Sequence, residues 1–310
     1  MNIECKLCDK SFSSHKGLHS HLSRTHEISQ KKYYEKFYPR FSKLYNKKIK
    51  FKNVKDYFDT NFSSDEEMRD WLMSTDHKIA AEYIDVLYKK RIEEKQIKNA
   101  LCSIELSLSS LPGINLYKHF FKSYISYCKN LNLNFNFSKF IPSDFFDFEY
   151  NDEFNIFIDS REQKPIKYKN SQIMKLDFGD YAVGGELYDY TFIDRKSEQD
   201  FKSTMSGSNF DRFKRELDRA RSFNSYIFMA VESSIESINK NNLFSPHKSK
   251  MPYIWHNTKA LAQNYQDCLQ ILFLNNRSEL KNMIPRILFY GKKLWQVDVQ
   301  YFLNKHYERK

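Results

Sequence analysis

Asp194 and Lys196 stand two residues apart in TFIDRK, an apolar-led segment of strand composition. Side chains alternate along a strand, so this carboxylate and this ammonium share one face and Arg195 points to the other. An acid beside a lysine at a strand end suits phosphodiester hydrolysis. The carboxylate can hold magnesium, while the lysine positions or activates the water and offsets charge on the phosphate. Taken alone, D-x-K is a weak signal that many unrelated chains carry. Here two further acids precede it: Asp159 closes the apolar run FNIFID, and Asp180 follows Gly179 in FGDY. An acid followed by D-x-K on the next strand is the arrangement of restriction-type nuclease folds.

The order of the three segments adds specificity. IDSRE at 158–162, GDY at 179–181 and IDRKSEQDF at 193–201 resemble the XPF-type structure-selective endonuclease family. That family's pattern runs V-D-x-R-E, then G-D-Y, then E-R-K-x-x-x-D. The likeness continues through Arg212, Glu216 and Arg219 to Val231-Glu232. The resemblance implies that Asp159, Asp180 and Asp194 bind magnesium or manganese, or support its shell, and that Lys196 is the catalytic lysine. It implies that Arg161 and Arg195 orient the site or contact phosphate, and that Asp200 orients the lysine or arginine side. Glu162, Arg212 and Glu216 follow as weaker candidates, with Arg212 offered to DNA and Glu216 balanced against a surface ion pair. Asp194 stands where the family has Glu, which keeps the charge on a side chain one methylene shorter. The family's paired helix-hairpin-helix modules need glycine turns. Beyond Gly207 the chain has only Gly291, so DNA-binding duty falls to the N-terminal half.

That half opens with a second constellation. Cys5 and Cys8 are separated by two residues, His21 follows after twelve, and His26 after four more. This is the spacing of a two-Cys, two-His zinc finger, in which two thiolates on a tight turn and two imidazoles about one helical turn apart complete a tetrahedron. Phe12 and Leu18 occupy its core positions. With His21 at helix position 7, the base-reading positions fall on Ser14, Gly17 and Ser20, a poor set for reading bases. Lys6, Lys10, Lys16 and Arg24 remain for phosphates. Docking on DNA is the favoured role, against a protein-binding or purely structural finger.

Between Lys31 and Lys55 the only acid is Glu35, while lysines, Lys47, Lys48 and Lys50 among them, alternate with Tyr33, Tyr34, Phe37, Tyr38, Phe41, Tyr45 and Phe51. Cations with interleaved rings form a nucleic-acid surface, or a helix with its rings in the core and its lysines in water; both can hold for one helix. HEISQKKYYEKFYP also resembles the segment after the finger in phage-encoded homing-type endonucleases, which implies a DNA-directed module.

The elements that must position these residues fall into three stretches. A finger spans 1–30. A basic, mostly helical DNA-binding region spans 31–150, ending in a polar, aromatic linker. A nuclease domain spans 151–310. In the last, FNIFID reads as a strand, LDFGDYAVGGELYDYTFIDRK as a hairpin turning at Gly184-Gly185, NFDRFKRELDRARSF as a charged amphipathic helix and SYIFMAVE as a buried strand. From Thr258 onward the chain reads as helices, including ALAQNYQDCLQILFL. The expected class is α/β: a restriction-endonuclease-like α/β/α nuclease core with an N-terminal ββα finger and a helical middle.

Bulk properties agree. The 310 residues carry a net charge of +11, with 41% hydrophobic and 16% aromatic residues. A core is affordable, and a polyanionic partner is favoured. The polar start leads us to expect no secretory signal, no apolar run spans a bilayer, and no glycine-rich phosphate loop supports an ATP-driven motor. His256 is more simply a structural histidine, and STMSGS lacks a partnered His/Asp pattern for nucleophilic catalysis. The expectation is a DNA endonuclease using zinc and magnesium, cytoplasmic in a bacterial host if phage-encoded or nuclear if eukaryotic. A homodimer through the nuclease domain is left open. The competing class is a non-catalytic DNA-binding or scaffold protein that retains a nuclease fold.

Overall fold

The computed structural model describes residues 3–42, 47–48, 62, 65–74, 77–109 and 111–308. The chain forms two compact units, one of residues 1–98 and 106–134, the other of 99–105 and 135–310.

The first unit begins with β1 (Ile3–Glu4) paired antiparallel to β2 (Ser11–Phe12), followed by α1 (His15–Thr25). Ser14 caps α1 by accepting from the Gly17 N–H, which satisfies one of the four orphan donors of the first turn. Leu18 and Leu22 of α1 are fully buried. Helix α2 (Gln30–Phe37), capped by Ser29, turns Tyr33 and Tyr34 into the core. The Tyr33 hydroxyl accepts from Lys6 N at 2.9 Å, and the Tyr34 hydroxyl lies 3.0 Å from both His15 Nδ1 and His19 Nε2. His15 in turn pairs with Glu82 on a long helix of the same unit. The finger and the helices that follow it are therefore one packed body.

A short pair, β3 (Phe41–Ser42) with β4 (Lys47–Lys48), precedes α3 (Asp65–Ser74) and α4 (His77–Lys95). Helix α5 (Ser103–Leu108) divides its residues at 105/106 between the second unit and the first, and α6 (Tyr117–Phe120) and α7 (Tyr124–Asn130) belong to the first. Its core is rich in tyrosine: Tyr88, Tyr117, Tyr124 and Tyr127 are buried against one another, with Tyr88 and Tyr124 sharing a 2.8 Å hydrogen bond.

The second unit is a six-stranded mixed sheet between helices. Its strands are β5 (Ile156–Asp159), β6 (Ser171–Met174), β7 (Tyr181–Val183), β8 (Thr191–Lys196), β9 (Tyr226–Val231) and β10 (Leu269–Phe273), in the order β10-β9-β8-β7-β5-β6. Strands β8, β9 and β10 run parallel, β7 is antiparallel to β8 and β5, and β6 is parallel to β5. Every residue of β9 is buried, the mark of a strand covered on both faces. On one face α12 (Arg277–Tyr290) and α13 (Val299–Tyr307) pack Leu280, Ile284, Ile287 and Leu303 against Ile158, Ile193 and Phe228. The other face carries α8 (Glu198–Thr204), α9 (Gly207–Ser222) and α11 (Met251–Asn264), with α10 (Ile235–Phe244) between β9 and α11. The architecture is an α/β/α sandwich, with the finger and helical region before it, as the sequence pattern implies.

Three readings change. The run CLQILFL is a strand rather than the end of a helix. Its apolar stretch has no period of its own, and parallel pairing with β9 decides its state. The hairpin between β7 and β8 does not turn on two residues; residues 184–190 form the connection and include a short 3-10 turn. Strand β6 went unread because it lies at the sheet edge with Ile173 and Met174 exposed, so it carries no alternating pattern. Among the described residues no helix is long and apolar enough to cross a membrane.

Candidate functional site

Cys5, Cys8, His21 and His26 converge, with one ligand atom of each within 4.8 Å of all the others. Cys8 Sγ lies 3.2 Å from His21 Nε2 and 3.3 Å from His26 Nε2, Cys5 Sγ lies 3.6 Å from His26 Nε2, and the two imidazole nitrogens are 3.1 Å apart. A tetrahedral zinc with ligands at about 2.0–2.3 Å has ligand–ligand edges of about 3.3–3.8 Å, so this donor set could hold zinc. Lys16 and Arg24 line an open groove of about 500 Å³ on the finger together with His19, Ser20, Ser23 and Gln30. Burial, and then the neighbouring His15, lower the His19 pKa to about 4, so His19 contributes a neutral ring. Gly17 faces inward, where an added Cβ would meet the Phe12 ring at 3.4 Å. Ser14 is occupied as the helix cap.

Of the basic, aromatic stretch, Tyr33, Tyr34 and Tyr38 are core residues. Arg40 is fully buried, with its guanidinium 3.6 Å from the Phe62 ring centroid. Lys47 and Lys48 supply backbone to β4, and their side chains lie outside the described residues, as do Lys50 and the further lysines up to Lys55.

In the second unit the acid–lysine cluster assembles at one end of the sheet. Lys196 Nζ donates to Asp194 Oδ1 at 2.6 Å, and both side chains are largely buried. Asp194 Oδ2 is buried and accepts no hydrogen bond. Asp180 is set beside it by Gly179. This glycine has φ +58°, and a Cβ there would lie 2.7 Å from Ile193 O, so only glycine lets the loop close on β8. Asp180 N then donates to Ile193 O at 2.7 Å, and Asp180 Oδ2 accepts from Arg195 N at 2.7 Å. Burial, and next the charge of Asp194, push the Asp180 carboxyl up to about 8. Glu216 of α9 is also raised, by burial and then by Asp194, although it accepts from the Gly179 N–H. Burial works to strip the Lys196 proton, but the fields of Asp194 and Asp180 outweigh it and hold its pKa above the usual value.

The remaining candidates take other places. Asp159 is 2% exposed. Its carboxylate accepts from Arg161 N, Nε and Nη2 and from Leu176 N, all at 2.7–2.9 Å. Burial pushes its pKa up, and these bonds more than reverse that, leaving it below the usual carboxylate range. Asp159 ties together the loops at the end of β5, and its N–H donates to Asp180 O at 2.8 Å. Arg161, held by that carboxylate, keeps a side chain that is 63% exposed. Its pKa is raised first by Asp159 and also by Glu216 and Asp180.

Arg195 is buried between Glu162 at 3.0 Å and Glu232 at 3.1 Å, and Arg277 reaches the same Glu232. The Arg195 guanidinium is thus engaged by two carboxylates and buried. Asp200 is exposed and closes a reciprocal cap with Ser197, whose hydroxyl accepts from Asp200 N and donates to its Oδ2. It thereby fixes the start of α8 directly after Lys196. Arg212 is exposed on α9. Arg219 of the same helix donates to Asp177 O at 2.7 Å.

Glu216, balanced in the sequence between a site role and a surface ion pair, lies close enough to Asp194 and Lys196 to feel their charges. Its signal was there: it lies four residues after Arg212 and three before Arg219, on the helix face that returns to the GDY loop. The Glu162–Arg195–Glu232–Arg277 network carries no local signature, because its members come from four separate segments.

No family model matches this sequence, and no curated protein does. Among solved structures the chain is similar to XPF from Aeropyrum pernix, at 16% identity and a TM-score of 0.34, over 44% of this chain and 66% of that one. It is similar also to XPF from Aeropyrum pernix in complex with DNA, at 17% identity and a TM-score of 0.34, over 46% and 66%. These matches cover less than half of this chain and just under two thirds of the other.

Proposed function

We propose that this chain is a metal-dependent DNA endonuclease whose site is built on Asp180, Asp194 and Lys196. The observation that supports it best is Asp194 Oδ2, a buried acceptor without a donor, beside two carboxyls whose pKa values its charge raises. A cation would satisfy an unpaired buried acceptor that lies beside mutually repelling acids. Magnesium needs only one or two protein carboxylates and keeps several waters, so Asp180 and Asp194 suffice to hold it. When bound, magnesium or manganese supplies Lewis acidity and a water of lowered pKa.

The chain's own residues do the rest. Lys196, held protonated, is a point charge that offsets the phosphate and orients the attacking water rather than a base. Arg161, anchored along one edge by Asp159, offers its exposed edge to a neighbouring phosphate. The water oxygen bonds to phosphorus as the bond to the 3′ oxygen breaks, the water giving up one proton to solvent and the departing 3′ oxygen taking one up from it. The products are a 5′ phosphate and a 3′ hydroxyl. Zinc in the finger holds the first unit together, and Lys16 and Arg24 on its groove dock phosphate without reading bases. In this reading the N-terminal half directs the nuclease to a DNA site or branched structure, in the manner of a homing-type enzyme.

The test is incubation with magnesium and a panel of duplex, forked, flapped and supercoiled DNA, beside Asp194→Ala. Cleavage by the intact chain alone supports the proposal; binding without cleavage refutes it. Cutting of forks but of no linear duplex assigns structure selectivity.

A further inference from the structure

Strand β6 ends the sheet, and among the described residues no strand pairs with its outer edge. Its inner edge is used by β5: Ile156 N donates to Asn170 O at 3.0 Å and Ser160 N to Met174 O at 2.9 Å, in parallel register. In a parallel ladder alternate residues bond to the neighbour, so Asn170, Gln172 and Met174 turn their backbone groups to β5. Ser171 and Ile173 then turn their N–H and C=O groups outward, a row of alternating donors and acceptors along the open edge.

This edge lacks the usual guards against strand addition. SQIM holds no charge, proline or glycine, and its register with β5 runs without a bulge. Ile173 is 64% and Met174 38% exposed. Lysines stand around the strand instead of in it. From Gln163 to Leu176 the chain carries Lys164, Lys167, Lys169 and Lys175 and no acid. All of these lysines are exposed. Lys169 pairs with Asp152 at 3.7 Å, and its side chain is still 88% exposed.

Open backbone groups, apolar side chains and flanking cations together fit an extended, acidic segment of another protein, added as a further strand. Such a segment brings both N–H and C=O groups to the edge, and its acids meet the lysines. DNA answers only half of this edge, because phosphate oxygens accept from N–H groups and offer nothing to the outward carbonyls. A second copy of β6 is opposed by charge: self-pairing centred on Gln172 would set Lys169 of each copy opposite Lys175 of the other. We propose that β6 is a docking edge for an acidic, extended peptide. The strand leads into the candidate site, since Met174 is in register with Asp159 and Leu176 N donates to Asp159 Oδ2 at 2.7 Å. A partner added here is held beside the loop that leads to Asp180. The docking edge stands whether or not the chain cleaves DNA.

The test titrates the full chain, in calcium, with a capped fluorescent peptide alternating glutamate and valine, its lysine–valine counterpart, and a single-stranded oligonucleotide. The glutamate peptide binds and the lysine peptide does not. Hydrogen exchange of the Ser171 and Ile173 amides slows by about tenfold or more in the complex. Ile173→Pro removes an outward N–H and no ladder bond to β5. With its melting unchanged, it weakens the glutamate peptide by about tenfold or more. Lys167→Glu/Lys175→Glu, at exposed positions, reverses the preference between the two peptides and decides the matter if the proline variant unfolds. Failure of the glutamate peptide to bind, binding indifferent to the folded variants, or exchange that slows only elsewhere overturns the proposal. An oligonucleotide that protects the same amides makes the edge a phosphate surface and overturns it too. So does a wild-type dimer in sedimentation that Ile173→Pro dissolves.

Discussion

Two neighbouring residues on β8 have opposite duties. Lys196 faces the acids, whereas Arg195 lies between Glu162 and Glu232 with its side chain 6% exposed. Removing Arg195 leaves the largely buried Glu162 carboxylate without its ion pair and Glu232 with Arg277 alone, so Arg195→Met should cost about 3 kcal/mol or more of stability, read as a lower denaturant midpoint. Lys196→Met should abolish cleavage, whereas folded Arg195→Met should retain it. Equal losses of cleavage per folded molecule would contradict this division. Asp180 gives a pH signature. Its carboxyl is raised from the ordinary 3.8 to about 8 in the folded, metal-free chain. The stability it contributes is full below its unfolded pKa and is lost as pH rises through the folded one. In chelator, the wild type should therefore fall progressively behind Asp180→Asn in melting temperature from about pH 4 and level off above about pH 8. A gap that does not change with pH would refute the raised carboxyl.

At the scale of elements, the site depends on one loop. Gly179 combines a left-handed backbone with close approach to β8, so Gly179→Ala should cost about 2 kcal/mol or more through strain and displacement. Asp180 would move with it. The expected result is a lower melting temperature together with loss of magnesium-dependent activity; retention of both would show that the loop tolerates a side chain.

These elements were unevenly legible in the sequence. Strands β5, β8 and β9 announce themselves as apolar runs, and the Asp194–Lys196 pairing follows from alternation alone. Strand β10 was not legible, since a five-residue apolar run takes its state from its neighbour. The duties of Asp159 and Arg195 were hidden for a similar reason. Asp159 is engaged by Arg161 and by the Leu176 N–H, and Arg195 by acids from distant segments. Residue type gives the chemistry available, and tertiary partners decide whether it faces substrate or scaffold.

For the whole molecule, the finger's donor set and the tyrosines that follow it belong to one unit. Stripping zinc should do more than unfold a small module. Because Tyr33 holds Lys6 and His15 pairs with Glu82, helicity of the first unit should fall on chelation, while the melting of the second unit stays unchanged. Circular dichroism with and without a zinc chelator reads this; loss confined to the finger would contradict it.

The central claim, that Asp194 and Asp180 hold a catalytic metal beside Lys196, is tested most directly by nicking of supercoiled DNA under matched zinc content. The full-length chain, Asp194→Ala and Asp180→Asn would be compared in magnesium, in calcium and in chelator. Nicking by the wild type in magnesium alone, lost in both variants with DNA binding intact, is the expected result. Nicking that survives in Asp194→Ala, or an intact chain that binds DNA and never cuts it, would contradict the account.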